Sequence, residues 1–194
     1  MDAATSSVSR ILITGPPGVG KTTICKKLAS MLEKQNSKFD GFFTEEVRNQ
    51  SRSRIGFDIV LLKDPEQRSP LARAENAINS SQLSKYRVGN YHVYLNNFEA
   101  MALPVFKADV DILFIDEIGK MELFSEKFKE NIQMLFFGSM KDIRVIATIP
   151  EIHKVPQKHL TLFQRLHADK KSKIINVTRQ NRDNLPDEIM KLLS

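Results

Sequence analysis

The 194-residue sequence has a single cysteine, no tryptophan and no apolar run that approaches the ~18 residues of a membrane span. Each absence excludes something. Cys25 alone cannot form an internal disulfide, and no cysteine and histidine cluster stands at zinc spacing. An intracellular, reducing address is therefore expected, and any metal should be held by oxygen. Without a membrane partner, a soluble cytoplasmic protein is the expectation, the nucleus being the other compartment open to it. Residues 1–9 are small and polar, lack the apolar core of a secretory signal, and are expected to form a disordered tail. The remainder, 10–194, is long enough to bury its own core as one domain, expected as a monomer.

The formal net charge is +6, which suits a polyanionic ligand. A nucleoside triphosphate satisfies that as well as a nucleic acid does. Basic residues thicken between His153 and Lys173, a stretch whose one aromatic is Phe163. A solvated helix face and loop is the plainer reading of it, and an RNA-binding surface is the alternative.

Ile11 to Thr14 is a short apolar run ending in glycine and proline, as in a buried parallel strand. Helical spacing follows through Ile24, Leu28, Met31 and Leu32 as far as Asn36. Residues 41–62 read as an antiparallel hairpin with a polar turn from Arg48 to Arg54, and 63–87 as a long surface excursion marked by Pro65 and Pro70. Tyr91, Val93 and Leu95 alternate as a strand. Asn97 is placed to cap a helix that Pro104 ends or kinks. Ile112 to Ile115 is a second fully apolar strand, and a helix capped by Ser125 runs to Gly138. Further strands are expected at Arg144 to Ile149 and Lys173 to Val177, with a last helix after Asp183 or Asn184. The order predicts an α/β fold: a mostly parallel sheet with helices on both faces and an antiparallel hairpin addition.

Gly15-Pro16-Pro17-Gly18-Val19-Gly20-Lys21-Thr22 matches the phosphate-binding pattern G-x-x-x-x-G-K-[ST] in full. It leaves a strand and opens a helix, so backbone N–H groups and the positive helix end converge on one anion. Lys21 is placed for the β- and γ-phosphates, Thr22 for magnesium and Thr23 for the α-phosphate. Asp116-Glu117 ends the second apolar strand, where ligands of open α/β sheets collect. Asp116 then holds magnesium, and Glu117, directly after it, can orient and polarise the attacking water, which hydrolysis needs and phosphoryl transfer to an acceptor does not.

Other residues stay open between a functional and a plain reading. Thr148 can sense the γ-phosphate or simply end a strand. Arg179 and Arg182 can meet a base or phosphate, or be surface arginines. Glu45, Glu46, Arg48 and Lys120 can reach the site, and ordinary ion pairs explain them equally well.

Together these segments resemble the cancer-related nucleoside-triphosphatase family, known also from thermophilic archaea and bacteria. The likeness rests on Gly15 to Thr23, Gly41-Phe42-Phe43-Thr44-Glu45-Glu46-Val47-Arg48, Ile55-Gly56-Phe57-Asp58 and Val88-Gly89-Asn90-Tyr91. It continues through Leu103-Pro104-Val105, Ile115 to Phe124, Thr148-Ile149-Pro150, Asn176-Val177-Thr178 and Asn181-Arg182. The resemblance implies a RecA-like P-loop fold and slow, magnesium-dependent hydrolysis of ATP, GTP, CTP and UTP to the diphosphate and phosphate. It also implies two nucleotide-binding segments, here Gly15 to Thr22 and Ile112-Leu113-Phe114-Ile115-Asp116-Glu117-Ile118-Gly119. Ser69 to Arg87, the basic run after Glu151 and the longer N-terminal tail depart from the family pattern. A nucleotide or nucleoside kinase, with the 63–87 excursion as its lid, and a nucleotide-dependent RNA-binding switch are the competing expectations.

Overall fold

A computed structural model describes residues 8–138 and 143–193. Of the expected tail, residues 1–7 lie outside the described residues, while the Ser9 N–H donates to the Lys171 carbonyl at 3.1 Å. The elements, in chain order, begin with β1 (Arg10–Thr14), α1 (Lys21–Lys34), β2 (Phe39–Arg48), β3 (Arg54–Leu61) and β4 (Arg68–Ala74). They continue with β5 (Arg87–Val88), β6 (Tyr91–Val93), α2 (Leu95–Val105), β7 (Ile112–Asp116) and α3 (Glu126–Phe137). Last come β8 (Arg144–Thr148), α4 (Gln157–Ala168), β9 (Ser172–Asn176) and α5 (Leu185–Leu193).

The nine strands of the described residues form one sheet in the order β5-β6-β4-β3-β2-β7-β8-β1-β9. The half from β2 to β9 is parallel, and the half from β2 to β5 is antiparallel. The expected α/β P-loop architecture is the one found, with the hairpin β2–β3 continued by three more strands. Alternation along the central strands divides the core in two. Leu12, Phe42, Ile115 and Ala147 face Phe98, Phe128 and Phe163 of α2, α3 and α4. Ile11, Ile13, Phe114 and Ile146 face Ile24 and Leu28 of α1 and Ile189 of α5.

Three local expectations give way to tertiary structure. The 63–87 excursion contains β4, which pairs with β3 and β6, so it is built into the sheet. Pro70 is tolerated there because β6 pairs only with Ala72 to Ala74, and a register shift between Phe57 and Asp58 accompanies it. Leu95 opens α2 instead of closing a strand, and Tyr94 holds the cap position. Asn97, expected to cap that helix, sends its amide to the Pro70 carbonyl at 3.1 Å. The Ser125 cap is as expected, its Oγ accepting the Phe128 N–H at 3.1 Å.

One glycine fixes how the two halves of the sheet meet. Gly41 has φ of 145°, and a Cβ there would stand 2.1 Å from the Phe114 carbonyl oxygen of β7. Its absence lets β2 lie close enough to bring Phe43 opposite Asp116. Gly41→Ala should destabilise the protein by more than ~2 kcal/mol in urea denaturation, through strain at a positive φ and a backbone clash. Wild-type stability in that variant would show that the β2–β7 approach has slack.

Candidate functional site

The loop between β1 and α1 curls because Gly15, Gly18 and Gly20 take φ of 147°, 73° and 114°, which side chains resist. A Cβ on Gly15 would meet the Val177 carbonyl oxygen at 2.8 Å. Gly20 caps α1 without any side-chain hydrogen bond, so the first-turn amides point outward unsatisfied by the protein's own side chains. Lys21 Nζ donates to the Gly15 carbonyl at 3.0 Å and the Pro16 carbonyl at 3.4 Å, spanning the mouth of the loop. Pro16, Pro17 and Gly18 are exposed, Val19 is buried, and Thr23 is exposed on the first turn of α1. Cys25, one position past Ile24, is fully packed and its thiol pKa is pushed up by burial, as for a core residue.

Strand order supplies the rest. β8 lies between β1 and β7, so the end of β8 falls between the loop and the acidic strand end. There Thr148 Oγ1 donates to Asp116 Oδ1 at 2.5 Å. Burial raises the Asp116 pKa, while the hydrogen bond from Thr148, the Thr22 hydroxyl, the nearby Lys21 charge and the Thr44 backbone pull it back down. Asp116 Oδ2 is buried without a hydrogen-bond partner. An orphaned carboxylate oxygen beside the Thr22 hydroxyl is a donor set that suits a hard cation. Among the described residues no three His, Cys, Asp or Glu side chains group as a metal cage, so such a cation would complete its shell with phosphate and water.

Glu117 follows Asp116 through a cis peptide, and the next N–H, of Ile118, donates to the Thr148 carbonyl at 2.9 Å. Burial, then the charge of Asp116, pushes the Glu117 carboxyl up to about 7, against the pull of Lys21. Ile112, Leu113, Phe114, Ile115 and Ile118 are at most 2% exposed and fill the two cores. From that segment, Asp116 and Glu117 alone turn a charged side chain toward the loop end.

One acid escaped the sequence reading as a residue in its own right. Glu122 opens a 3₁₀ turn, Glu122–Phe124, and is 5% exposed. A Cβ on Gly119 would stand 2.8 Å from Glu122 Oε2 and 3.0 Å from Glu117 Oε1, so the two carboxyls converge over that glycine. Burial and the neighbouring Glu117 push Glu122 up to about 8. The available signal was an acid set among Met121, Leu123 and Phe124.

The remaining candidates separate. Arg182 comes to the loop, its Nη1 lying 3.5 Å from the Val19 carbonyl and its Cδ packing against Gly20. Asn181 braces that segment by accepting the Thr178 N–H at 2.8 Å and donating to the Asn176 carbonyl at 2.9 Å. Arg179 lines a cavity of about 400 Å³ with Pro16, Pro17, Gly18 and Glu151. Glu45 pairs with Lys26 at 2.8 Å and Arg68 at 3.0 Å. Arg48 pairs with Glu46 near the far turn of the hairpin and donates to the Arg52 carbonyl, away from the loop. Lys120 is exposed.

A family model described as NTPase matches residues 10–190. The cancer-related nucleoside-triphosphatase homolog of Bos taurus is 41% identical over 191 residues, covering 93% of this chain and 94% of that protein. The cancer-related nucleoside-triphosphatase of Homo sapiens is 40% identical over 188 residues, with 93% and 94% covered. The crystal structure of THEP1 from the hyperthermophile Aquifex aeolicus superposes with a TM-score of 0.74 at 31% identity, over 95% of this chain and 99% of that one. Loop, strand order and relatives agree, and the chain belongs to this NTPase family.

Proposed function

We propose that this protein hydrolyses nucleoside triphosphates to the diphosphate and phosphate, tolerating ATP, GTP, CTP and UTP. The observation that carries this reading is Glu117: a half-buried carboxyl near Lys21 and Asp116 whose pKa is raised to about 7. A base poised near the working pH is what activation of water requires.

In this reading the loop amides and Lys21 hold the β- and γ-phosphates, Lys21 exchanging its Gly15 and Pro16 carbonyl contacts for phosphate oxygens. Thr22 and Asp116 would hold Mg²⁺, which when bound neutralises charge on the β- and γ-phosphate oxygens. Thr148 fixes one Asp116 oxygen and leaves Oδ2 for the cation. Glu117 accepts the proton of the attacking water. Every contact so assigned touches phosphate, metal or water, which supports broad tolerance of the base. Turnover is expected to be slow. An arginine aimed at the transferring phosphate is worth ~10³ to 10⁵ in rate, and here the Arg182 guanidinium is engaged with the Val19 carbonyl of the loop. A kinase would need a lid for its acceptor, and the one segment expected to serve, 63–87, is tied into the sheet by β4.

Glu117→Gln should bind a nonhydrolysable triphosphate as wild type does and release phosphate at least tenfold more slowly; an undiminished rate removes Glu117 from the mechanism. In wild type, kcat/KM should fall as pH drops through about 7, because a protonated Glu117 accepts no proton. That acid limb should be missing in Glu117→Gln. For Arg182→Ala we expect KM to rise severalfold with kcat within about threefold, whereas a loss near 10³ in kcat would make Arg182 the charge-stabilising group.

Glu122 gives a prediction on stability. Its folded pKa, about 8, lies above the ordinary glutamate value of 4.5, so the native state keeps a proton that the unfolded chain loses. Stability from this group is full below about pH 4.5 and is lost as pH rises towards 8. Among the charges facing it are Glu117 and Asp116, both of which oppose its ionisation. Metal-free Glu122→Gln should therefore melt higher than wild type at pH 8, with the gap closing towards pH 5. An equal or lower melting temperature at pH 8 would contradict the buried-acid assignment.

A further inference from the structure

A second grouping of residues lies outside the phosphate site. The rings of Tyr86 and Phe124 stand 5.3 Å apart, tilted by 47°. Lys85 Nζ lies 5.1 Å from the Tyr86 ring, and Lys158 Nζ lies 4.8 Å from the Phe124 ring. Both rings are half-buried, packed on the core, with both lysines exposed beside them. Four residues from three separate segments thus make a row: cation, ring, ring, cation. The loop that carries Lys85 and Tyr86 also lines a cleft of about 480 Å³ whose wall includes Asn96 and Tyr94.

The basic run near the C-terminus has one aromatic of its own, Phe163, and that ring is in the core, 1% exposed. The fold supplies the rings from elsewhere, setting Phe124 under Lys158 of α4. Two half-buried rings, from whose faces the flexible lysines can swing to phosphates as bases take their place, form with the Asn96 amide a platform for unpaired nucleotides. An acidic peptide would use the lysines and leave the rings idle. A duplex hides its base faces and could use only the lysines.

We propose that this surface binds single-stranded nucleic acid, with successive bases on Tyr86 and Phe124 and phosphates at Lys85 and Lys158. The formal charge of +6 favours such a polyanion. Phe124 closes the turn begun by Glu122, and the Leu123 N–H donates to the Gly119 carbonyl at 3.0 Å, so a bound strand abuts the segment after Glu117. The strand site is nevertheless separate from the phosphate loop.

The test is fluorescence anisotropy of the full chain with labelled 12-residue oligo(U) and oligo(dT), titrated at several salt concentrations. Binding should weaken with salt at a log–log slope of about −1.4, that of two phosphate contacts on a single strand. Tyr86→Ala should weaken it by about 5- to 100-fold, and Lys85→Ala with Lys158→Ala should flatten the slope while leaving phosphate release from triphosphates unchanged. The lysine pair keeps the test valid if Tyr86→Ala folds poorly. Excess magnesium and ATP should leave the oligonucleotide bound. Displacement by ATP, equal affinity for a duplex of the same length, binding of a mononucleotide as tight as that of the strand, or no response to either set of variants would overturn the proposal.

Discussion

The buried carboxyl of Asp116 is where most of the site's geometry is decided. It sits at the end of β7, 2% exposed, and an isolated carboxylate at such a place would be forced to take up a proton. What counters burial comes from three directions: Thr148 from β8, Thr22 and Lys21 from the first turn of α1, and the Thr44 backbone of β2. Each of these groups is in place because its own element is locked into the sheet or follows directly from it. β8 separates β1 from β7 by one strand, and that spacing lets a threonine bridge the gap between phosphate loop and acid. Removing the acid would leave the Thr148 hydroxyl without its acceptor. Keeping it leaves one oxygen, Oδ2, unpaired and suited to a cation.

Two further acids are packed against the same point, and their crowding has a consequence. Asp116, Glu117 and Glu122 lie within one turn-rich segment, with Gly119 providing the space in which the last two meet. Like charges at this separation cannot all be ionised in a poorly solvated site. Burial and Glu117 keep Glu122 protonated at neutral pH, while Lys21 moderates the shift at Glu117. In the proposed reaction the segment therefore supplies a hard-cation ligand, a base near neutrality and a protonated acid in sequence. A glycine at 119 is as much a part of that arrangement as the acids, since a side chain there would collide with both glutamates.

The parts of this arrangement legible in the sequence are those whose signal is local. The glycines and Lys21-Thr22 announce an anion cradle because the loop's curvature and the helix start are set within eight consecutive residues. Asp116-Glu117 could be read from an apolar strand ending abruptly in acid, and the Ser125 cap from one hydrogen-bonding side chain before a helical pattern. Long-range pairing was not legible. β4 was hidden by Pro65 and Pro70, since nothing local says that a neighbouring strand is absent where Pro70 lies. Asn97 was read as a cap because the sequence could not show the Pro70 carbonyl waiting for its amide. Glu122 passed as one letter of a motif, its burial being a property of the packed turn. Lys158 and Phe124 are 34 positions apart by their own numbering, and only the fold makes them neighbours.

Water as the acceptor of the phosphoryl group is the step on which the proposed reaction rests. The direct measurement is to incubate the purified protein with ATP and magnesium in ¹⁸O-labelled water, with no other acceptor present, and to analyse both products by mass spectrometry. ADP without label and inorganic phosphate carrying at least one ¹⁸O atom are the expected products. Intact ATP that is consumed only when a hydroxyl-bearing acceptor is added, with the phosphoryl group found on that acceptor, would contradict the proposed reaction.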